Sequence, residues 1–304
     1  MEKLKYLRIS VTTDCNANCW YCFNEGLPIS KNYLDDTTSF EWFMNTVVPH
    51  YEIEVVRFTG GEPLLNPHIY DLIKTTRNLS VKKIGFTTNG ILLPKSADML
   101  SQCGVNEYAV QICDINEQGT SFEDILSFVT KIQKSVRNVR FNVVVTSVSI
   151  TNIMKLLEYS CINPINLLVL DLMQVMLGNR MFEKSYVNVS ACQSFLVEHG
   201  FKMHLENRNS KIYSNDLSNI KIVEHYSDVS TRCTYCTKLL EFNPLLLTPN
   251  FGLTVCTHFG RQSFSVHQCV IDRNETLLFK IIENAMKYLS NCDECVNKDV
   301  LIEL

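Results

Sequence analysis

From residue 6 to about residue 175, short runs dense in Val, Ile, Leu and Phe alternate with longer stretches whose apolar residues recur every three or four positions. The short runs, at residues 6–13, 55–59, 83–88, 107–113, 139–146 and 167–175, predict strands. Their near-continuous apolar content predicts burial on both faces. The longer stretches, at residues 37–48, 67–78, 94–103, 121–136 and 150–160, predict helices. Thr37 and Ser121 stand at helix starts, where a hydroxyl can cap the first turn. Strand–helix alternation of this kind means βαβ units and a parallel sheet. Chemistry in such units gathers at the carboxyl ends of the strands.

Beyond about residue 176 the pattern changes. Polar connections such as residues 206–211 appear, and the alternation gives way to a second cysteine-rich region. The chain is therefore divided into a core at residues 1–200 and a C-terminal module at residues 201–304, closing the core's mouth. Its 304 residues can bury a substantial core, and 46% hydrophobic with 20% charged residues describes an ordinary globular protein. A net charge of −4 argues against a nucleic-acid surface or an anionic membrane partner. No run of about 18 apolar residues suggests a membrane span. The N-terminus enters a strand without a signal-peptide core. Thirteen cysteines in such a chain favour metal binding in a reducing compartment, hence the cytoplasm.

Cys15, Cys19 and Cys22 form a C-x3-C-x2-C motif just after the first predicted strand. Three thiolates can hold three corners of a [4Fe–4S] cube and leave one iron open. A structural zinc site needs a fourth nearby ligand, and the nearest histidine, His50, lies far beyond the motif. The alternatives are half-buried loop thiols or part of a zinc ribbon. The second predicted strand runs into Gly60-Gly61-Glu62-Pro63 and the third into Thr88-Asn89-Gly90. Gly60 and Gly61 allow close approach of the backbone to a ligand.

The cysteine motif, with Tyr21 as the aromatic before its last cysteine, and the Gly-Gly-Glu-Pro motif together resemble the radical S-adenosylmethionine (radical SAM) superfamily. The resemblance implies an α/β fold: a partial (β/α)6 barrel of the TIM type, with a smaller C-terminal iron–sulfur module. It implies a [4Fe–4S] cluster on Cys15, Cys19 and Cys22 that binds S-adenosylmethionine. It further implies an electron donor such as flavodoxin or ferredoxin, and hydrogen abstraction by a 5'-deoxyadenosyl radical. Gly60, Gly61, Glu62 and Pro63 would meet the methionyl group, and the Tyr21 backbone the adenine.

Within the superfamily, Arg8-Ile-Ser-Val-Thr, the segment from Arg57 to Leu65 and Thr87-Thr-Asn-Gly90 are similar to the MoaA-type GTP 3',8-cyclases of molybdenum-cofactor biosynthesis. By that resemblance Arg8 and Arg57 face substrate, with Thr88 nearby and Arg140 at a position that carries lysine in the family. Met173 and Asn142 line the SAM site, and Gln111 replaces a serine near the SAM ribose. There are departures. Two arginines follow the family's C-terminal C-x2-C, whereas Cys236 is followed by Thr-Lys-Leu-Leu240, so that only Lys238 is basic. A lysine is a point charge rather than a bidentate fork. The Gly-Gly tail of that family is replaced by Val-Leu-Ile-Glu-Leu304. Both departures count against GTP.

The second cysteine group comprises Cys233, Cys236, Cys256, Cys292 and Cys295, around a predicted hairpin with a glycine-containing turn and a helix at residues 277–289. It resembles the twitch domains, relatives of SPASM domains, which carry an auxiliary [4Fe–4S] cluster. A cyclase-like ligand set would use Cys233, Cys236 and Cys256 and leave an iron open. A twitch-like set would use Cys236, Cys256, Cys292 and Cys295 and close the cluster. Four such cysteines also suit zinc. Cys103, Cys113, Cys161 and Cys192 occur singly and read as inert thiols, with Cys269 a spare near the module. Three functions follow: a radical SAM enzyme acting on a small, possibly anionic, molecule or a peptide; a GTP cyclase; or a non-catalytic iron–sulfur or zinc scaffold.

Overall fold

The structure is a computed structural model that describes residues 4–22, 24, 27, 32–113, 121–173, 179–207, 210–224, 245–255 and 263–290. Six strands and the helices between them form the core: β1 (Tyr6–Ser10), α1 (Thr37–Tyr51), β2 (Val55–Thr59), α2 (Ile69–Arg77), β3 (Lys83–Thr88), α3 (Leu93–Cys103), β4 (Glu107–Gln111), α4 (Phe122–Ser135), β5 (Val139–Val145), α5 (Ile150–Ile162) and β6 (Asn166–Asp171). The strands lie in chain order and pair in parallel, with Arg8 beside Arg57, Arg57 beside Gly85, and Gly85 beside Glu107. Helices α6 (Asn179–Ser185) and α7 (Ser190–Glu198) follow.

The chain then adds strands at both edges of this sheet. Strands β7 (Lys202–Asn207), β8 (Ser210–Ser214) and β9 (Asn219–Val223) form an antiparallel meander whose last strand pairs in parallel with β6. Of residues 206–211, read from sequence as a polar connection, Glu206 and Asn207 belong to β7 and pair with Lys211 and Ser210 of β8. At the other edge, β10 (Leu245–Leu247) pairs in parallel with β1, and β11 (Gly252–Thr254) and β12 (Ser263–Ser265) continue antiparallel. Helices α8 (His267–Ile271) and α9 (Glu275–Ser290) follow. The described strands thus make one twelve-stranded sheet, and the core is the expected α/β partial barrel.

The barrel strands are not apolar on both faces. Leu7, Ile9, Val56, Phe58, Phe86, Phe141, Val143 and Val169 are fully buried in the layer shared with Phe40, Phe43, Leu72, Val129 and Leu156 of the helices. The alternate positions Tyr6, Arg8, Arg57, Glu107, Arg140 and Asn142 are polar and only partly buried. Successive side chains point to opposite faces, so these residues line the interior. Helix α1 is capped by Asp36, whose side chain accepts from the Ser39 amide at 2.9 Å, so Thr37 is the first helical residue and not the cap. Ser121 does cap α4, in a reciprocal box with Asp124. Among the described residues no helix is long and apolar enough to cross a membrane.

Candidate active site

Two loops meet at the carboxyl ends of β1 and β2. After Ser10 the chain leaves the ladder, and the Thr13 amide turns to the Asn32 carbonyl at 3.0 Å. The Gly61 amide donates to the Thr12 carbonyl at 2.9 Å and the Glu62 amide to the Asp14 carbonyl at 2.8 Å. Contact is so close that a Cβ on Gly60 would stand 2.3 Å from the Thr12 oxygen, and one on Gly61 2.1 Å from the Asp14 oxygen. Gly60 also has φ +140°, open to glycine alone in practice. The close approach read from these glycines is therefore to the cysteine loop itself.

Glu62 is fully buried and sits where three strand ends can be joined. Its carboxylate accepts from the Thr88 hydroxyl at 2.9 and 2.8 Å, from the Asn89 amide at 2.8 Å and from the Leu64 amide at 3.1 Å. Burial pushes its pKa up, against the opposing pull of these hydrogen bonds. Thr88, expected to face substrate, is buried with its hydroxyl committed to Glu62. Pro63 opens a 3-10 turn, Pro63–Leu65, capped by Glu62. Glu62 and Pro63 accordingly shape the loop junction.

The sulfurs are supplied with donors. The Ala17 amide reaches Cys15 Sγ at 3.4 Å, the Asn89 side-chain amide reaches it at 3.7 Å, and the Asn24 amide reaches Cys22 Sγ at 3.3 Å. Asn89 also donates to Asn16 at 2.7 Å, tying β3 to the same loop. Burial pushes both thiols up, and each is raised further by Cys19. Among the described residues no three His, Cys, Asp or Glu side chains close around a single ion. Ligands of a four-iron cube stand further apart than ligands of one ion. Three thiols on one loop, two of them accepting N–H bonds of the kind that tunes such clusters, fit a [4Fe–4S] cube with an open corner.

Around this mouth, Tyr21 packs edge-on against Trp20 with ring centroids 5.5 Å apart, and its hydroxyl accepts from Gln111 at 3.3 Å. Burial raises the Tyr21 phenol well above its ordinary range, with the neighbouring Cys19 and Cys113 thiols adding to it. Met173 lies partly buried just past β6. Asn142 accepts from Arg140 Nε at 3.2 Å.

Deeper in the barrel, Arg8, Arg57 and Arg140 converge. Arg8 Nη2 lies 3.5 Å from Thr59 Oγ1, Arg57 Nε donates to Tyr6 Oη at 2.9 Å, and Arg57 Nη2 forms a close ion pair with Glu107. Burial and then the charge of Arg57 lower the pKa of Arg140; burial chiefly lowers that of Arg8, and Arg57 adds to it. Lys221 on β9 joins the group, its pKa lowered by burial and then by Arg140. Sequence reasoning missed Tyr6, Glu107 and Lys221. For Tyr6 and Glu107 the signal was their polar character at alternate positions of otherwise apolar strands; Lys221 is brought in by the pairing of β9 with β6. Lys238, Cys233, Cys236, Cys256, Cys292 and Cys295 lie outside the described residues.

The segment that holds the three cysteines and the Gly-Gly-Glu-Pro turn lies within residues 9–159, which match the Radical SAM superfamily. The chain belongs to the Radical SAM superfamily and is an enzyme. Among curated relatives, it is 28% identical to a Methanococcus aeolicus protein named "Probable GTP 3',8-cyclase", over 92% of this chain and 98% of that one. It is 30% identical to a Clostridium acetobutylicum "GTP 3',8-cyclase" over 62% of each chain. A Clostridium botulinum protein of the same name is 27% identical, over 93% of this chain and 89% of that one. Solved structures share the fold. Streptococcus suis SuiB, bound to its precursor peptide SuiA, matches with TM-score 0.61 and 14% identity over 86% of this chain. This chain spans about three fifths of SuiB's length, at 62%. The structure titled anSMEcpe, with AdoMet and a peptide, matches with TM-score 0.58 and 15% identity over 97% of this chain and 86% of that one.

Proposed function

We propose that this enzyme draws a hydrogen atom from a small molecule or peptide that carries an anionic group. One observation carries the reading: three arginines from three strands converge inside the barrel whose mouth holds the cysteine loop. A [4Fe–4S] cluster with SAM supplies, when bound, the one-electron chemistry that the side chains cannot. Cys15, Cys19 and Cys22 hold that group, and Gly60 and Gly61 keep their loop in place. Tyr21, Gln111, Asn142 and Met173 form the rim that excludes water and orients SAM. Arg8, Arg57 and Arg140, with Lys238 as a further cation, hold the substrate's anion below it.

Residues 1–200 then act as the core and residues 201–304 as a module for a second, auxiliary cluster. Cys236 and Cys256 are ligands in either arrangement, with Cys292 and Cys295 in the twitch-like one and Cys233 in the cyclase-like one. A second reading, GTP 3',8-cyclase, is favoured by the names of relatives that match over nearly their whole length.

Anaerobic incubation of iron-replete protein with SAM, dithionite and GTP separates the two. SAM cleavage to 5'-deoxyadenosine with GTP left intact supports the first reading. GTP-dependent cleavage with a cyclised product establishes the second. No 5'-deoxyadenosine under any of these conditions would defeat both.

A further inference from the structure

Arg57 reaches sideways across the sheet. Its guanidinium lies over Gly85 on β3, so close that a Cβ there would stand 2.7 Å from Cζ. The missing side chain opens the route to Glu107 on β4, which pairs with Arg57 Nη2 while Tyr6 takes Nε. The third nitrogen, Nη1, is buried without a hydrogen-bond partner. A buried donor left this way is costly unless a ligand completes it.

A guanidinium grips phosphate or carboxylate through two parallel N–H bonds from one edge. Its two such edges are Nε with Nη2, and Nη1 with Nη2. Tyr6 takes the single Nε N–H and Glu107 one of the two on Nη2, so the Nε–Nη2 edge has no complete pair to offer. Arg57 can then offer an incoming group Nη1 and at most the remaining N–H of Nη2. Glu107 also removes one of the four positive charges that Arg8, Arg57, Arg140 and Lys221 bring to the interior, and the mutual electrostatic effects among these groups place them together.

We propose that Glu107 is a specificity-determining residue that cancels the charge of Arg57, leaves it at most one edge for an incoming group and fits the barrel to a compact oxyanion, a carboxylate or phosphomonoester, in preference to a polyphosphate chain. It rests on the anionic-substrate reading given above. Both Glu107 and Gly85 act through Arg57.

Titration calorimetry with inorganic phosphate, acetate and inorganic tripolyphosphate tests it on the full chain. The wild type should bind tripolyphosphate no more tightly than phosphate or acetate, and whichever of those two binds better identifies the source chemistry. Glu107→Gln keeps the side chain's shape and an acceptor oxygen but removes its charge. It should tighten tripolyphosphate at least about tenfold, the scale of one unit charge at short range, and change phosphate and acetate little. Gly85→Ala, which pushes the guanidinium off Glu107, should act in the same direction and serves if Glu107→Gln folds poorly. Tight tripolyphosphate binding by the wild type, unchanged by either variant, overturns the role of Glu107. Arg140→Ala and Lys221→Ala keep the two readings apart. If they abolish anion binding while Glu107→Gln does nothing, only the role of Glu107 fails. If they leave all three anions unaffected, the anion site itself is wrong.

Discussion

Substituting Gly61 by alanine places a Cβ 2.1 Å from the Asp14 carbonyl oxygen, and that oxygen belongs to backbone that already accepts from Glu62. Neither loop can yield without losing a hydrogen bond between the cysteine segment and the β2 turn. Gly61→Ala should therefore cost about 2 kcal/mol or more, at the upper end for a single substitution. It should also lower the iron retained after anaerobic reconstitution. Denaturant unfolding and iron analysis check the two halves. Wild-type iron content in a folded Gly61→Ala protein would show that the loop contact is dispensable. At this scale the motif was visible in the sequence, but its cause was not. Two adjacent glycines announce close approach without saying of what. The neighbour proved to be a carbonyl almost fifty residues earlier, which only the parallel pairing of β1 with β2 brings into reach. Thr88 escaped for the same reason: nothing local shows that its hydroxyl is taken by Glu62.

Elements were more legible than contacts because each is set by its own periodicity and caps. Strands β2 and β3 begin and end where their apolar runs do. Strand β1 stops at Ser10 although the apolar and β-branched run continues to Thr13, because Thr13 turns to Asn32 and the Thr12 carbonyl is taken by Gly61. Helix α2 starts at Ile69, two residues past the expected Pro67, since the Asn66 side chain accepts from the His68 amide at 2.7 Å and holds a turn there. The polar inner face of the barrel was hidden by counting apolar content rather than its alternation. Helix α4 offers a test at this scale. Ser121 Oγ accepts from the Asp124 amide at 3.1 Å, and Asp124 Oδ2 accepts from the Ser121 amide at 3.3 Å. Ser121→Ala removes the hydroxyl half of that box and should destabilise the protein by about 1 kcal/mol, typical for loss of an N-cap. Equilibrium unfolding in urea would show it as a lower midpoint with an unchanged slope. An unchanged midpoint would mean that the first turn of α4 is held by packing alone.

Across the whole molecule, the strands β7–β9 and β10–β12 extend the barrel sheet at both edges, so residues beyond 200 bear on the interior. Lys221 is the instance: it lies some eighty residues after Arg140, yet the two interact, because β9 returns to pair beside β6. No local pattern in the sequence could place it there. The cysteine count allows the proposed second cluster to be tested chemically. With both clusters present, the reconstituted wild type should carry about eight irons per chain, four for each cube. Replacing Cys15, Cys19 and Cys22 together by alanine removes the donors of one cube and should leave about four irons with no release of 5'-deoxyadenosine. For the second group, the arrangement proposed here closes the cube with Cys292 and Cys295. Cys292→Ala with Cys295→Ala should then halve the iron, while Cys233→Ala keeps it. A closed cube has no iron free for substrate and is suited to carrying electrons, which implies an oxidative outcome. If Cys233→Ala loses the iron instead and the Cys292→Ala, Cys295→Ala variant keeps it, the cube has an open iron and the cyclase reading gains. About four irons in the wild type, with one zinc retained after the triple replacement, would make the second group a structural zinc site.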